Sequence, residues 1–226
     1  MIKFVNNTFH ALKITFANEI GNICKKLGLD SHELMRIFCI DKQLNISCHY
    51  LKPGFAYGGS CLPKDLKALK TIAHDFYLET PVLNSIEPSN SYQKNIALNL
   101  ILKSEKNKIG FYGIGFKEGT DDLRYSPSVS IIEELIGKGK EVFIYDRYVH
   151  LSKLIGSNKS FIEEKLPHIS SLVLTDLNSF ISSSEVIVFP NYNNNLDFII
   201  PPEKIIIDFS RNKSLENNKN YFGISW

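Results

Sequence analysis

The segment FAYGGSCLPKD, residues 55–65, holds the residues best suited to covalent chemistry. Pro63 suits the first turn of a helix, where its missing N–H is not needed. A Cys61 thiol at that start would face unpaired backbone N–H groups and the positive end of the helix dipole. With Lys64 adding positive charge nearby, this setting favours the thiolate, the nucleophilic form. Asp65 follows about one helical turn later and could accept a proton or orient a water. Gly58 and Gly59 permit close backbone approach and positive φ. The same residues also describe an ordinary helix start with a buried cysteine, and their types alone leave both readings open.

Two further groups have chemical potential. Lys3, Asn7 and His10 are spaced by four and three, so they share a helix face, and a lysine with an amide can hold an oxyanion. Asn18, two turns on, falls near the same face. A solvated polar stripe would look the same. In GIGFKEGTDDLRYSP, residues 113–127, Gly113 and Gly115 end an apolar run, and Lys117 and Arg124 could pair with phosphates. The full G-x-G-x-x-G of a dinucleotide site is absent there and elsewhere in the chain. Asp146, at the end of EVFIYD, fits either a ribose-binding acid or an acid that caps a strand end.

The elements that must position these residues change character near residue 105. Before it the pattern is helical. Phe9, Leu12, Phe16, Ile20, Ile23 and Leu27 step by three and four along a helix of about 40 Å, at ~1.5 Å per residue, long enough for a domain spine or a subunit contact. Lys25, Lys26 and Gly28 mark its end, and Asp30-Ser31 starts a second helix. A Gly- and aromatic-rich loop, 49–62, leads to a third helix on PKDLKALKTIAHDFY. The turn-rich stretch TPVLNSIEPSNS precedes a fourth on SYQKNIALNLILKS. After residue 105, KIGFYGIGF, EVFIYD, LVLTD, SEVIVFP and KIIIDFS read as five strands, with an amphipathic helix on SVSIIEELIGKG between the first two. PNYNNNLDF reads as a surface loop. Strands rich in Val and Ile that alternate with helices indicate a parallel sheet covered on both faces. The expected fold is an all-α domain followed by an α/β Rossmann-like domain, and the family resemblance given below makes the first a dimerisation domain. The expected divisions are 1–90, a connecting helix at 91–105, and 106–226.

Composition narrows the classes. The 226 residues carry a net charge of only +2, dispersed along the chain, which does not suit nucleic-acid binding. No apolar run approaches the ~18 residues of a membrane span, and the N-terminus lacks the order of a signal peptide. The four cysteines, 24, 39, 48 and 61, form no C-x-x-C and match no zinc-site spacing, so free thiols, no metal and a cytoplasmic setting are expected. Cys24, inside the apolar stripe, reads as a small buried hydrophobe.

NNTFHALKITFANEIG, DSHELMRIFC, YLKPGFAYGGSCLPKD, GTDDLR, the IGKG turn and GISW together resemble the UDP-glucose/GDP-mannose dehydrogenase family, in order and in spacing. GGSCLPKD is the most specific of these. His10 and Leu62 resemble the GDP-mannose branch rather than the UDP-glucose branch. The resemblance implies an NAD-dependent, four-electron oxidation of a sugar C6 alcohol to a uronic acid through a Cys61 thioester, in polysaccharide biosynthesis of the alginate kind. It implies catalytic roles for Cys61, Lys3, Asn7 and Asp65. It implies sugar-nucleotide contacts from Lys3, Asn7, His10, Asn18, Tyr50, Leu51, Lys52, Phe55, Gly58 and Lys117, and NAD contacts from Lys64 and Arg124. It also implies a homodimer built on the helical domain and a nucleotide diphosphate bound by the α/β domain.

Family members carry an N-terminal NAD-binding Rossmann domain before the position of Met1, so the expectation is negligible turnover by these residues alone, with NAD held by a separate N-terminal chain or not at all. Tyr125 stands where an acidic residue is usual. A non-catalytic, dimeric nucleotide-sugar-binding module and a UDP-glucose 6-dehydrogenase-like enzyme are the alternative readings.

Overall fold

The computed structural model describes residues 1–42, 51–75, 77, 80–116, 119–149, 156–166, 168–193, 196 and 198–226, except the side chains of 19, 20, 23, 26, 69, 72, 73, 157, 159 and 161. Its contacts divide the chain into two compact units, residues 1–95 with 225–226, and residues 96–224.

The first unit is helical. Helix α1 (Ile2–Leu27) ends at Gly28, whose φ of 69° is the left-handed turn that glycine adopts without a Cβ clash. Helix α2 (Ser31–Phe38) starts where the Asp30 carboxylate accepts the His32 and Glu33 N–H groups. Helix α3 (Leu62–Asp75) packs along α1. Helix α4 (Pro81–Leu102) begins in this unit and ends in the second. The core joins Ala11, Leu66 and Ile86, one residue from each of α1, α3 and α4, with Tyr57 from the loop between α2 and α3.

One expectation needs correction in this unit. Helix α4 takes in the stretch read as turn-rich, including Pro88, which has no N–H to give the Asn84 carbonyl. Proline, serine and asparagine weaken a helix locally, but burial of Ile86 at 1% exposure outweighs that preference. Of the apolar stripe of α1, Leu12 packs against this core. Ile2, Val5, Phe9, Phe16 and Leu27 are exposed, while the small residues Thr8, Ala11, Thr15, Ala17 and Cys24 are buried. Close helix packing selects small side chains, so the large ones are left on the outside. Cys24 is buried, as read from the sequence.

The second unit is a five-stranded parallel sheet in the order β2-β1-β3-β4-β5, formed by β1 (Lys108–Tyr112), β2 (Glu141–Tyr145), β3 (Val186–Phe189), β4 (Ile205–Asp208) and β5 (Tyr221–Gly223). Strands β1 and β3 are apolar and buried on both faces, as a covered parallel sheet requires. Helices α5 (Pro127–Gly137), α6 (Gly156–Lys165), α7 (Ile169–Leu172) and α8 (Leu177–Ser183) connect them. LVLTD, read as a strand, makes only a single bridge, Val173 to Ile144, because α7 runs up to Leu172. The three-residue β5 carries too little alternation to be read from sequence. No described helix is long and apolar enough to cross a membrane.

The sheet admits α8 closely at one point. A Cβ at Gly110, in β1, would lie 2.8 Å from the Phe180 ring and closer still to the Ser184 hydroxyl. Gly110→Ala should therefore destabilise the protein by about 1–3 kcal/mol, read by chemical denaturation. Gly137→Ala, with open space around the new Cβ, should have little effect. Equal midpoints for the two variants would refute the close approach.

Candidate active site

Helices α1 and α3 bring together three of the residues singled out for chemistry. The Asp65 carboxylate is completely buried in the first turn of α3. Its Oδ2 accepts a short hydrogen bond from Asn7 Nδ2 and lies 3.9 Å from Lys3 Nζ. Lys3 and Asn7 share one face of α1, at the spacing of four that the sequence implied. Its other oxygen, Oδ1, is buried with no hydrogen-bond partner among the described residues. A buried carboxylate oxygen left over in this way is a strong acceptor, suited to a water or a substrate proton.

Cys61 immediately precedes α3, and its carbonyl accepts the Asp65 N–H at 2.9 Å, closing the first helical turn. Its side chain is exposed, whereas Cys24 is buried and Cys39 half-buried. The surroundings are therefore not those of a structural thiol in the core. The preceding glycine, Gly59, has a φ of 85°, the left-handed conformation expected of this pair, whereas Gly58 does not.

Asn18 has a different place from Lys3 and Asn7. It is buried, its Oδ1 accepts the Gly54 N–H at 2.8 Å, and its Nδ2 donates to the Phe55 carbonyl at 3.1 Å. It thus holds the backbone of the loop that carries Phe55 and Gly58. Leu51 is buried in the core, Phe55, Gly58 and His10 are half-buried, and Lys52 and Lys64 are exposed. Tyr50 and Lys117 lie outside the described residues. Sequence reading missed Asn22, Asn90 and Gln93, which join Asn18 around this loop. Their only signal was amide spacing of four on α1 and three on α4, and the second was hidden where α4 read as a turn.

In the second unit, strand order reverses at β1 and β3. A narrow crevice opens there at the C-terminal strand ends, lined by Gly113, Thr120, Asp146, Tyr148, Asn191 and Asn193 among others. Such a reversal is the usual ligand position in open α/β sheets. The structure decides between the two readings of Asp146 in favour of a cap. Oδ2 accepts the Ile114 N–H at 2.8 Å, and Oδ1 accepts those of Tyr148 and Val149 at 2.8 and 3.1 Å.

The Arg124 guanidinium closes on Asp122 through two hydrogen bonds of 2.9 and 2.8 Å. That hydrogen-bonded pair holds the Asp122 carboxyl below the ordinary carboxylate range. Asp146 is thus engaged by backbone and Arg124 by Asp122. The described residues hold no cluster of metal-binding side chains.

Tyr57 links the loop to the helical core. Burial, with the negative charge of Glu87 adding to it, pushes its phenol up to about 12. An unfolded tyrosine ionises near pH 10. Between about pH 10 and 12 the unfolded chain loses this proton and the folded chain keeps it, so stability falls as pH rises through that window. Tyr57→Phe should therefore lose less stability than the wild type between pH 10 and 12 in denaturant melts. Parallel curves for the two proteins would place Tyr57 in water.

Comparison with known proteins agrees with this architecture. Residues 1–92 match the UDP-glucose/GDP-mannose dehydrogenase family, central domain, and residues 110–209 match the same family's UDP binding domain. The chain is 50% identical over 191 residues to a GDP-mannose 6-dehydrogenase of Pseudomonas aeruginosa, covering 84% of this chain and 44% of that protein. It is 44% identical over its whole length to a GDP-mannose 6-dehydrogenase of Pseudomonas savastanoi pv. phaseolicola, covering 53% of that protein. It thus spans about half the length of these curated relatives. Among solved structures, a ternary complex of GDP-mannose dehydrogenase from Pseudomonas aeruginosa superposes with a TM-score of 0.73 at 45% identity, over all of this chain and 52% of that one. A UDP-glucose dehydrogenase from Pyrobaculum islandicum gives 0.83 at 27% identity, over all of this chain and 50% of that one.

Proposed function

We propose that this chain, which belongs to the UDP-glucose/GDP-mannose dehydrogenase family, is the sugar-nucleotide-binding and thiol-bearing part of a GDP-mannose 6-dehydrogenase. The observation that carries the reading is an exposed cysteine one helical turn from a buried carboxylate that Lys3 and Asn7 flank. Identity of 44–50% to proteins named GDP-mannose 6-dehydrogenase supports the choice of sugar nucleotide.

In this reading Lys3, Asn7, His10, Tyr50, Leu51, Lys52, Phe55, Gly58 and Lys117 hold GDP-mannose, and Asn18 serves the site through the loop backbone that it binds. Cys61 Sγ adds to the C6 aldehyde, forming a C–S bond while the carbonyl π electrons become an alkoxide. The Lys3 ammonium and the Asn7 amide stabilise that alkoxide, the oxyanion arrangement that lowers such barriers. When water later releases the acid and frees the thiol, Asp65 takes the water's proton. Covalent capture keeps a reactive aldehyde from escaping. NAD would accept one hydride from the C6 alcohol and a second from the Cys61 thiohemiacetal, whose oxidation leaves the thioester that water hydrolyses, and Lys64 and Arg124 would touch the cofactor.

The exposed apolar stripe of α1, Ile2, Val5, Phe9, Phe16 and Leu27, supports a homodimer through the helical unit. Sedimentation should give twice the chain mass, and Phe9→Lys with Phe16→Lys should give one. A wild-type monomer at micromolar concentration would remove the dimer from the proposal.

Calorimetry should show GDP-mannose binding at least tenfold tighter than UDP-glucose. Lys117→Ala should weaken it about tenfold, the loss of ~1.4 kcal/mol expected when a phosphate loses one charged partner. Bound GDP-mannose should also slow alkylation of Cys61, the thiol that native protein should label first at neutral pH. Absence of binding to either nucleotide, or alkylation of Cys39 as fast as that of Cys61, would defeat the reading.

A further inference from the structure

Residues 51–60, which lead to Cys61, form neither helix nor strand, yet Pro53, Gly54, Ala56, Tyr57 and Gly59 are buried. Buried backbone N–H and C=O groups must be paired. At Gly54, Phe55 and Tyr57 the partners are side-chain amides from two helices. From α1, Asn18 takes the Gly54 N–H and the Phe55 carbonyl. From α4, Gln93 Nε2 donates to the Gly54 carbonyl. Asn90 does the work of a neighbouring strand, accepting the Tyr57 N–H at 2.9 Å and donating to the Tyr57 carbonyl at 3.0 Å.

Asn22 Nδ2 donates to Gln93 Oε1 at 3.0 Å, which fixes which end of the Gln93 amide points at Gly54. Gln93 itself is 1% exposed. Only an amide offers a donor and an acceptor side by side. An acid at 90 would leave the Tyr57 carbonyl unpaired, and an alanine would leave both groups unpaired. Gly21 completes the seat, since a Cβ there would lie 2.6 Å from Pro53 Cβ.

We propose that Asn90 and Gln93 are positioning residues for the site. They hold the backbone of residues 54–57 in the one arrangement that presents Phe55, Gly58 and, four residues after Tyr57, the Cys61 thiol. The identity of the ligand in the test rests on the function proposed above, but the restraint on the loop does not.

The test uses the 226-residue protein with Asn90→Ala, Asn90→Asp and Gln93→Met, and Ile86→Val as a control that trims the same helical core without touching the loop backbone. Amide hydrogen exchange across residues 53–61 and the dissociation constant for GDP-mannose are measured for each. Asn90→Ala should speed exchange at least tenfold. The gain should reach Gly54, whose own N–H bonds to Asn18, and affinity should fall at least tenfold. Asn90→Asp, which keeps one of the two bonds, should fall between Asn90→Ala and the wild type. Gln93→Met should behave like Asn90→Ala and serves as the decisive variant should that protein not fold. Ile86→Val should leave both readings within twofold of the wild type, whatever its melting temperature.

Loop exchange that is unchanged in the amide variants, or raised equally by Ile86→Val, would overturn the proposal. Faster exchange confined to Tyr57 would also overturn it, since the loop would not then move as a unit. A wild type that binds no GDP-mannose but shows the exchange pattern would support the positioning role and count against the ligand alone.

Discussion

Irregular backbone can be buried only if its N–H and C=O groups find partners, and the segment that leads to Cys61 depends on that constraint. A helix or strand meets it internally. Residues 51–60 cannot, and they are nonetheless packed against helices on the way to Cys61. The partners are amides borrowed from α1 and α4, so the place of the thiol depends on residues far from it in sequence. The arrangement also explains a glycine at 21, where the loop lies directly against the helix.

The same economy appears around Asp65. A buried carboxylate is costly unless charge and hydrogen bonds compensate it. Here Asn7 and Lys3 share one oxygen, and the other has no described partner. A group placed in this way is poor as a structural anchor and useful as an acceptor. In the α/β unit the acids are spent differently. Asp146 caps two loops through three backbone N–H groups. Asp208, fully buried at the end of β4, accepts from Ser210, Asn212 and Tyr221. Burial raises its pKa while those hydrogen bonds oppose the rise. Asn212 in turn holds the turn after β3, accepting the Asn193 N–H at 2.7 Å and donating to the Asn191 carbonyl. These acids shape the loops at the strand ends.

Local physics made much of the fold legible. Gly28 and Asp30 mark helix ends through their own backbone and side-chain bonding, and four of the five strands read as strands because a covered parallel sheet demands continuous apolar runs. The reading failed where packing overrides local preference. Helix α4 runs through Pro88 because Ile86 is buried, β5 is too short to show a pattern, and LVLTD loses its strand to α7. The α1 stripe was read correctly as a stripe, but its period cannot tell the core from another surface.

The sequence by itself determined the order of two units, the helix and strand periods, and the chemical types gathered in GGSCLPKD, because these depend on neighbours within a turn or two. Only the tertiary structure decided that Asp65 is sealed against Asn7 and Lys3, that Cys61 stays exposed, that Asp146 serves backbone, and that Asn90 stands in for a strand beside Tyr57. Each of these is a pairing across tens of residues. Whether a polar side chain meets water, backbone or a partner is settled by what the fold brings to it, and spacing along the chain carries no record of that.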